Sequence, residues 1–599
     1  MKKIILPILL GLGLVAVSCQ EKLEIPQKGV VSYDNFYASD ADAEAARADM
    51  YVNFISNVGG TEGIDNPQQV ILNYAADDVL PAGGDKKDHD AFRIFGEFTY
   101  GDASGTLKEC YQRYYYAIYH ANLIISNFTN ENRNNTEPKF ESAFTKQCVA
   151  EARVMRAYLH LCTALMWNRP PLMDRLYDAD ELPTNAESQD AILKWVIDEC
   201  DKAIASGSLP VRKGTTDKNS TAIMTVGFAN FVAGKAAMFL STPDYAKAKS
   251  ELKAIIDSKN YALIDGKDWW QNFHAVGDGN AEKIFEPNFI EDPAYTSNGW
   301  GFGQPIWRGR WMVANVLNWR TGALNSAPHC CQHDGWGGGA IQEDFAKKFL
   351  EHDGNSPRRR GTFLTEEEWL YEMEWEGSSC NNGTLEEKQA DRARGINPTG
   401  IFSHGPYFEW KMMTFVVVPE ILAQGGSYPA DNIPSMGENS NQKNFCVARY
   451  AEALLLYAEA CLESGATAEG KAALNEIQKR VGVPETELTF QNLMDEKQYE
   501  FWFENCRFQD LVRWSNQGKV DIVKLMAAQY HDGKNLVPTV YDALTSNDGA
   551  TKHELYVTYS AVDCNPFVKG KHEYLPFPLD FKTVNPNLVD VGGWTPIEQ

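Results

Sequence analysis

The stretch RYAEALLLYAEACLESG, Arg449 to Gly465, decides the fold. Ala451, Leu454, Leu455, Ala458 and Leu462 recur three and four apart, the period of one helical stripe. Glu452, Glu459 and Glu463 are expected elsewhere on the surface of that helix. Gly465 ends it, and Thr467 is expected to cap the next. Ala473, Ile477 and Val481 carry the apolar side onward until Gly482 and Pro484 stop it. Two such helices joined by a short turn leave an apolar side uncovered, so pairs of this kind stack.

The same pattern recurs toward the N-terminus. Tyr111, Tyr114, Tyr115, Ile118 and Ile125 form one stripe, and Ala152, Met155, Leu159, Cys162 and Met166 another. Val226, Ala229, Ala233, Ala236 and Leu240 form a third, whose small residues permit close helix approach. Tyr245, Ala248, Leu252 and Ile255 follow after Pro243. The expected fold is mostly α, built from tetratricopeptide-like helix pairs with a large irregular, loop-rich insert. The full repeat consensus is absent; helix length, alanine placement and turn spacing carry the expectation.

The boundaries follow from composition. Residues 1–18 read as a lipoprotein signal peptide, 19–35 as a tether, 36–260 as an N-terminal helical region, 261–442 as the insert, and 443–599 as a C-terminal helical region with a closing segment. The insert is rich in Gly, Pro, Asn and aromatics and holds ten of the fifteen tryptophans. A segment of that length without long helices needs structure or function of its own.

In the signal, Lys2 and Lys3 precede an apolar run from Ile4 to Val17, too short for a bilayer span of roughly 20 residues. It ends at Ser18-Cys19 and resembles a bacterial lipobox, with Ala16 where Leu is usual. Cys19 is therefore the expected lipidation site. Eleven cysteines follow it. Cys148, Cys162, Cys461 and Cys506 sit in apolar helical patterns and are expected to be small buried hydrophobes. A net charge of −25 argues against nucleic acid as a partner.

Three clusters could carry chemistry. Tyr295, Trp300, Trp307, Trp311, Trp319 and Trp336 stand near Arg308, Arg310, Asn298, Gln304 and Asp334. An indole covers the C–H face of a sugar ring, while Arg, Asn and Asp bond its hydroxyls. Packing explains any single one of these aromatics; one or two of the set are expected to line a ligand surface. His329-Cys330-Cys331-Gln332-His333 offers soft ligands, yet adjacent cysteines do not both ligate easily and no second pair stands at zinc spacing. Asp85-Lys86-Lys87-Asp88-His89-Asp90 follows a Gly-rich turn. Its spacing would admit calcium but lacks the glycine and distal glutamate of an EF-hand, so Asp88 and His89 are read as polar ligand contacts. No cofactor is expected beyond a structural calcium there, and no metal site is assigned. No nucleophile-elbow, zinc-protease or phosphate-loop motif occurs in a supporting context. No catalysis is expected.

Several further stretches, in order, resemble the SusD/RagB family of outer-membrane nutrient-uptake lipoproteins from Bacteroidetes-type bacteria. They are SYDNFYASDADAEAARADMY ending at Tyr51; EARVMRAYLHLCTALMWNRPPL, Glu151 to Leu172; GWGGGAIQEDFAKKFLEHDGNSPRRRGTF, Gly335 to Phe363; DEKQYEFWFENCRFQDLVRWS, Asp495 to Ser515; and YLPFPLDFKTVNPNL, Tyr574 to Leu588. Arg449 to Gly465 matches most closely. Asn168-Arg169 replaces the family's Gly-Asp type turn, and Lys497 stands where Arg is common. The resemblance implies four helix pairs packed on a loop-rich part, and a lipid-anchored position at the outer membrane, exposed on the cell surface. It also implies partnership with a SusC-like TonB-dependent transporter, to which a captured glycan is delivered. A peptide-capture protein of the same architecture, or a surface glycoside hydrolase, are the alternatives. Phe508, Leu511 and Trp514 are read as core.

Overall fold

The computed structural model describes residues 36–59, 67–81, 90–131, 137–288, 339–365, 368, 401–402, 407–412, 444–528, 534–544, 553–563 and 566–594. The N-terminal part contains helices α1 (Asp40–Gly59), α2 (Pro67–Tyr74), α3 (Asp90–Gly96), α4 (Gly105–Phe128), α5 (Ala143–Trp167), α6 (Gln189–Ala205), α7 (Val226–Phe239) and α8 (Tyr245–Ser258). Polar caps set where these helices begin. Ser142 accepts from the Thr145 amide at 3.0 Å while its own amide donates to the Thr145 hydroxyl at 2.8 Å, a reciprocal box that starts α5. Ser104, Ser188 and Thr225 cap α4, α6 and α7 in the simpler way.

Further along come α9 (Glu343–Asp353), α10 (Pro357–Thr362), α11 (Tyr450–Glu463), α12 (Thr467–Val481), α13 (Phe490–Phe501), α14 (Arg507–Asn516), α15 (Ile522–Ala528) and α16 (Leu579–Val584). Helix α1 packs on α4, α4 on α5, and so on through α6, α7 and α8 to α11 and α12. A second line of contact runs from α1 to α5, α7 and α11. This two-row stack bears out the expected helix pairs. The apolar stripes are its interior: Ala152, Met155, Leu159, Ala229, Ala233, Ala236, Leu252 and Ile255 are all buried in one continuous core. Phe508, Leu511 and Trp514 are buried in it too. Cys148, Cys162, Cys461 and Cys506 are buried free thiols, as expected.

Two details of the opening stretch are corrected. Glu452 and Glu459 are not on the surface; Glu459 is 0% exposed. Helix α11 is enclosed on all sides, and its acids face fixed cations. Arg513 donates to both Glu459 oxygens at 2.6 Å, and Trp514 Nε1 donates to Oε1 at 2.8 Å. Burial alone would push the Glu459 carboxyl up, but the Arg513 guanidinium outweighs it and holds it below the usual range. Glu452 accepts from Lys235 of α7 at 2.8 Å. Thr467 is the first residue of α12 rather than its cap; Ala466 precedes it and makes no side-chain cap bond.

The end of α12 is as expected. Gly482 takes φ +76, the left-handed conformation that closes a helix. Replacing Gly482 by Ala is expected to cost about 1 kcal/mol of stability, because a Cβ is disfavoured there. Urea unfolding of the two chains measures it.

Strands are short except for one hairpin. The strands are β1 (Val79–Pro81), β2 (Lys283–Phe285), β3 (Gly339–Ile341), β4 (Phe363–Thr365), β5 (Ile401–Phe402), β6 (Tyr407–Glu409) and β7 (Ala448–Arg449). Strands β8 (Lys534–Leu544) and β9 (His553–Asp563) pair antiparallel along their whole length, with β5 on the outer side of β8. No expectation from the sequence covered this hairpin.

Candidate functional site

Three short antiparallel pairs hold described strands of the insert: β1 with β3, β2 with β7, and β4 with β6. The first matters most. Val79 stands opposite Ile341, Leu80 opposite Ala340, and Pro81 opposite Gly339. The segment containing Asp88 and His89 therefore departs from Pro81 at the point where the segment containing Tyr295 to Trp336 arrives at Gly339. Helix α3 receives the first of these segments and packs back against α2 and β1. All ten sequence-predicted contact residues (Asp88, His89, Tyr295, Trp300, Trp307, Arg308, Arg310, Trp311, Asp334 and Trp336) lie outside the described residues, as does Cys19. The roots of the two segments that carry them lie side by side.

That root is rigid and buried. Val79, Leu80, Ala340 and Ile341 are enclosed. At Gly339 a Cβ would meet the Phe503 ring and the Tyr74 hydroxyl at 3.1 Å, so the strand lies tight against α2 and the end of α13. The Asp78 carbonyl accepts from Trp502 Nε1 at 2.9 Å and from the Gln342 amide at 3.0 Å. The Asp78 carboxyl is 1% exposed. Its Oδ2 lies 3.4 Å from Gln498 Nε2, and its Oδ1 has no hydrogen-bond partner. Neighbouring Asp77 takes the Arg507 guanidinium in a bidentate pair at 2.7 and 2.8 Å.

Burial, and then the Asp77 charge, push the Asp78 carboxyl up to about 7. A folded-state value above the unfolded one stabilises fully below the unfolded value, near 4, and the benefit is lost as pH rises through about 7. Asp78→Asn removes that titration. The variant is expected to gain on the parent in melting temperature between pH 5 and pH 8, the window set by that shift. Thermal unfolding of both chains across the range checks it; a constant difference would contradict it.

A second buried structure fastens the described part of the insert to the helices. Arg358, beside α9, donates Nε and Nη2 to Asp353 at 3.0 and 2.9 Å, and Nη1 to Glu496 at 2.5 Å and Glu500 at 3.2 Å. Glu500 is the hub. It also accepts from Arg449 and Arg480 at 2.6 Å each and from Trp269 Nε1 at 3.2 Å. Arg449 and Arg480 reach back to Glu282 of the insert. Lys411 donates to Glu504 and to the Trp502 carbonyl. Burial would push the Glu500 carboxyl up; the three arginines together hold it well below the carboxylate range. The sequence did carry a signal for this network: Glu496 and Glu500 stand four apart in α13, on one helix face, and Glu504 follows four positions later, just past its end.

Among the described residues no group of three His, Cys, Asp or Glu could hold a metal. The His329–His333 cluster and the Asp85–His89 acids lie outside them. Among the described residues no helix is long and apolar enough to cross a membrane. The arrangement is a helical body on which the described ends of the two segments, Pro81 and Gly339, stand opposite each other.

A sequence model of the SusD family matches residues 304–594. The SusD-like protein P25 of Formosa agariphila is 20% identical over 518 residues, covering 83% of this chain and 87% of the relative. Among solved structures, a laminarin binding SusD-like protein is 19% identical with a TM-score of 0.67, over 93% of this chain and 100% of that one. Surface glycan-binding protein A from Bacteroides thetaiotaomicron, in complex with laminarihexaose, is 18% identical with a TM-score of 0.64, over 92% and 99% of the two chains. The chain is thus SusD-like in fold, and its residues 304–594 match the SusD family model.

Proposed function

We propose that this chain is a non-catalytic glycan-capture lipoprotein. It is held at the outer membrane through Cys19, exposed at the cell surface, and delivers oligosaccharide or polysaccharide to a SusC-like TonB-dependent transporter. The observation that carries the reading is the β1–β3 pair. It roots the Asp88–His89 segment and the tryptophan-rich segment at one place on a rigid body. Ligand loops on a stiff scaffold are the usual division of labour, because order in the scaffold lowers the entropy lost on binding. The fold is shared with a protein described as laminarin binding and with one solved with laminarihexaose, which supports a glycan as cargo. Tyr295, Trp300, Trp307, Trp311 and Trp336 would cover sugar faces, with Arg308, Arg310, Asp334, Asp88 and His89 on the hydroxyls.

The test is a glycan array probed with the full chain, laminarin included, beside a peptide mixture, followed by product analysis on the best-bound glycan. At least one glycan should bind and be recovered intact. A peptide response without a glycan response would replace the reading with peptide capture, and clean turnover would replace it with a hydrolase. Co-purification of a β-barrel partner with the chain from its own membrane tests delivery.

A further inference from the structure

On the helical body, away from β1 and β3, lies a cavity of about 360 Å³. That volume falls within the range of small-ligand clefts, about 300–1,000 Å³. The cavity forms where the C-terminal ends of α5 and α7, the N-terminal end of α6, helix α14 and residues 573–574 of the closing segment meet. Its floor is apolar: Leu165, Phe239 and Val512 are all buried. Its walls are polar. Asn516 donates to the Tyr574 hydroxyl at 3.2 Å, and that hydroxyl faces Gln189 Oε1 at 3.4 Å. Across from them Asp190 accepts from the Ser241 amide and hydroxyl at 2.8 and 2.6 Å. Ser241 and Asn516 are exposed and mark the mouth.

Gln509 tells what the cavity needs. It is 8% exposed and lines the cavity. The buried Oε1 of Gln517, the residue that closes α14, has no partner. A buried acceptor left in this state costs stability unless something bonds it. The charges restrict what that can be. Arg513 is committed to Glu459 and Asp510, so the net charge of the lining comes from Asp190, bonded to Ser241, and Glu573, bonded to the Gly570 amide. An anion would meet them without compensation. A ligand with an apolar face and hydroxyls that both donate and accept satisfies the carboxylate, the amides and the floor together.

We propose that this cavity is a second binding site, for a neutral polyhydroxylated ligand of mono- to disaccharide size. It does not depend on the loop segments, and its failure is distinguishable from theirs. The test uses the full chain and, as probes, glucose, xylose, cellobiose and laminaribiose, with choline as a cation and citrate as an anion, by saturation-transfer NMR. At least one sugar should saturate with a Kd on the order of a millimolar. Gln509→Leu should weaken it at least tenfold, and Asn516→Trp, which fills the mouth from an exposed position, should abolish it. Both variants should keep the parent's response to the best array glycan. If Gln509→Leu does not fold, Asn516→Trp decides alone. No saturable sugar, a response to choline only, or sugar binding unchanged in Asn516→Trp would overturn the proposal.

Discussion

Arg358→Met is expected to lower the stability of the folded chain by about 3–5 kcal/mol, the scale for removing one partner of a buried ion pair. Arg358 is fully buried and is the shared counter-charge of Asp353, Glu496 and Glu500. Burial would push the Asp353 carboxyl up, and Arg358 is the first cause that instead brings it down to about 2. Without the guanidinium, three carboxylates stay in a low-dielectric site with less positive charge to face them. The methionine keeps much of the side-chain volume, so the loss reads charge rather than packing. The same bonds tie α9 and α10 to α13, so the described part of the insert should loosen first. Urea unfolding followed by tryptophan fluorescence measures the difference. A loss under about 1 kcal/mol, typical of an exposed pair, would contradict the network's role as the clamp between insert and helices.

Cys19→Ser should move the chain from the membrane fraction to the soluble fraction almost completely. The proposed anchor is the only attachment the account gives it, and each buried methylene of an acyl chain is worth about 0.8 kcal/mol. Two or more chains make release negligible, while none leaves a body with an acidic net charge of −25 and no attraction to anionic lipid. Fractionation with mass spectrometry of the N-terminal peptide checks both parts. Retention of Cys19→Ser in the membrane fraction would mean a different attachment.

The helix pairs are legible in the sequence because burial on one side imposes a three-and-four spacing that survives in the letters. Ala229, Ala233 and Ala236 show it plainly, and they lie in the core. The same logic misplaces Glu452 and Glu459. A periodic pattern treats every acid as facing water, whereas their partners Lys235 and Arg513 come from distant parts of the chain. Thr467 shows the ordinary limit of cap reading, one residue from the true boundary. The β8–β9 hairpin escapes because Pro538 lacks the N–H of a central strand and apolar Val540, between Thr539 and Tyr541, breaks the alternation that would mark one. For the candidate site, the sequence supplies the residue types, and the fold supplies what no local pattern holds: Pro81 opposite Gly339, 258 positions later.

The central claim is that the tryptophan-rich segment grips a glycan without altering it. Calorimetric titration of the best array glycan into the full chain, and into a Trp300→Ala, Trp307→Ala, Trp311→Ala triple variant, tests it most directly. Aromatic anchors at an interface centre cost about 2 kcal/mol or more each when truncated. The parent Kd is therefore expected between micromolar and millimolar, with a loss of at least a hundredfold in the variant, an unchanged melting temperature, and intact glycan at the end. Equal affinity in the two chains, or glycan recovered as cleaved product, would contradict it.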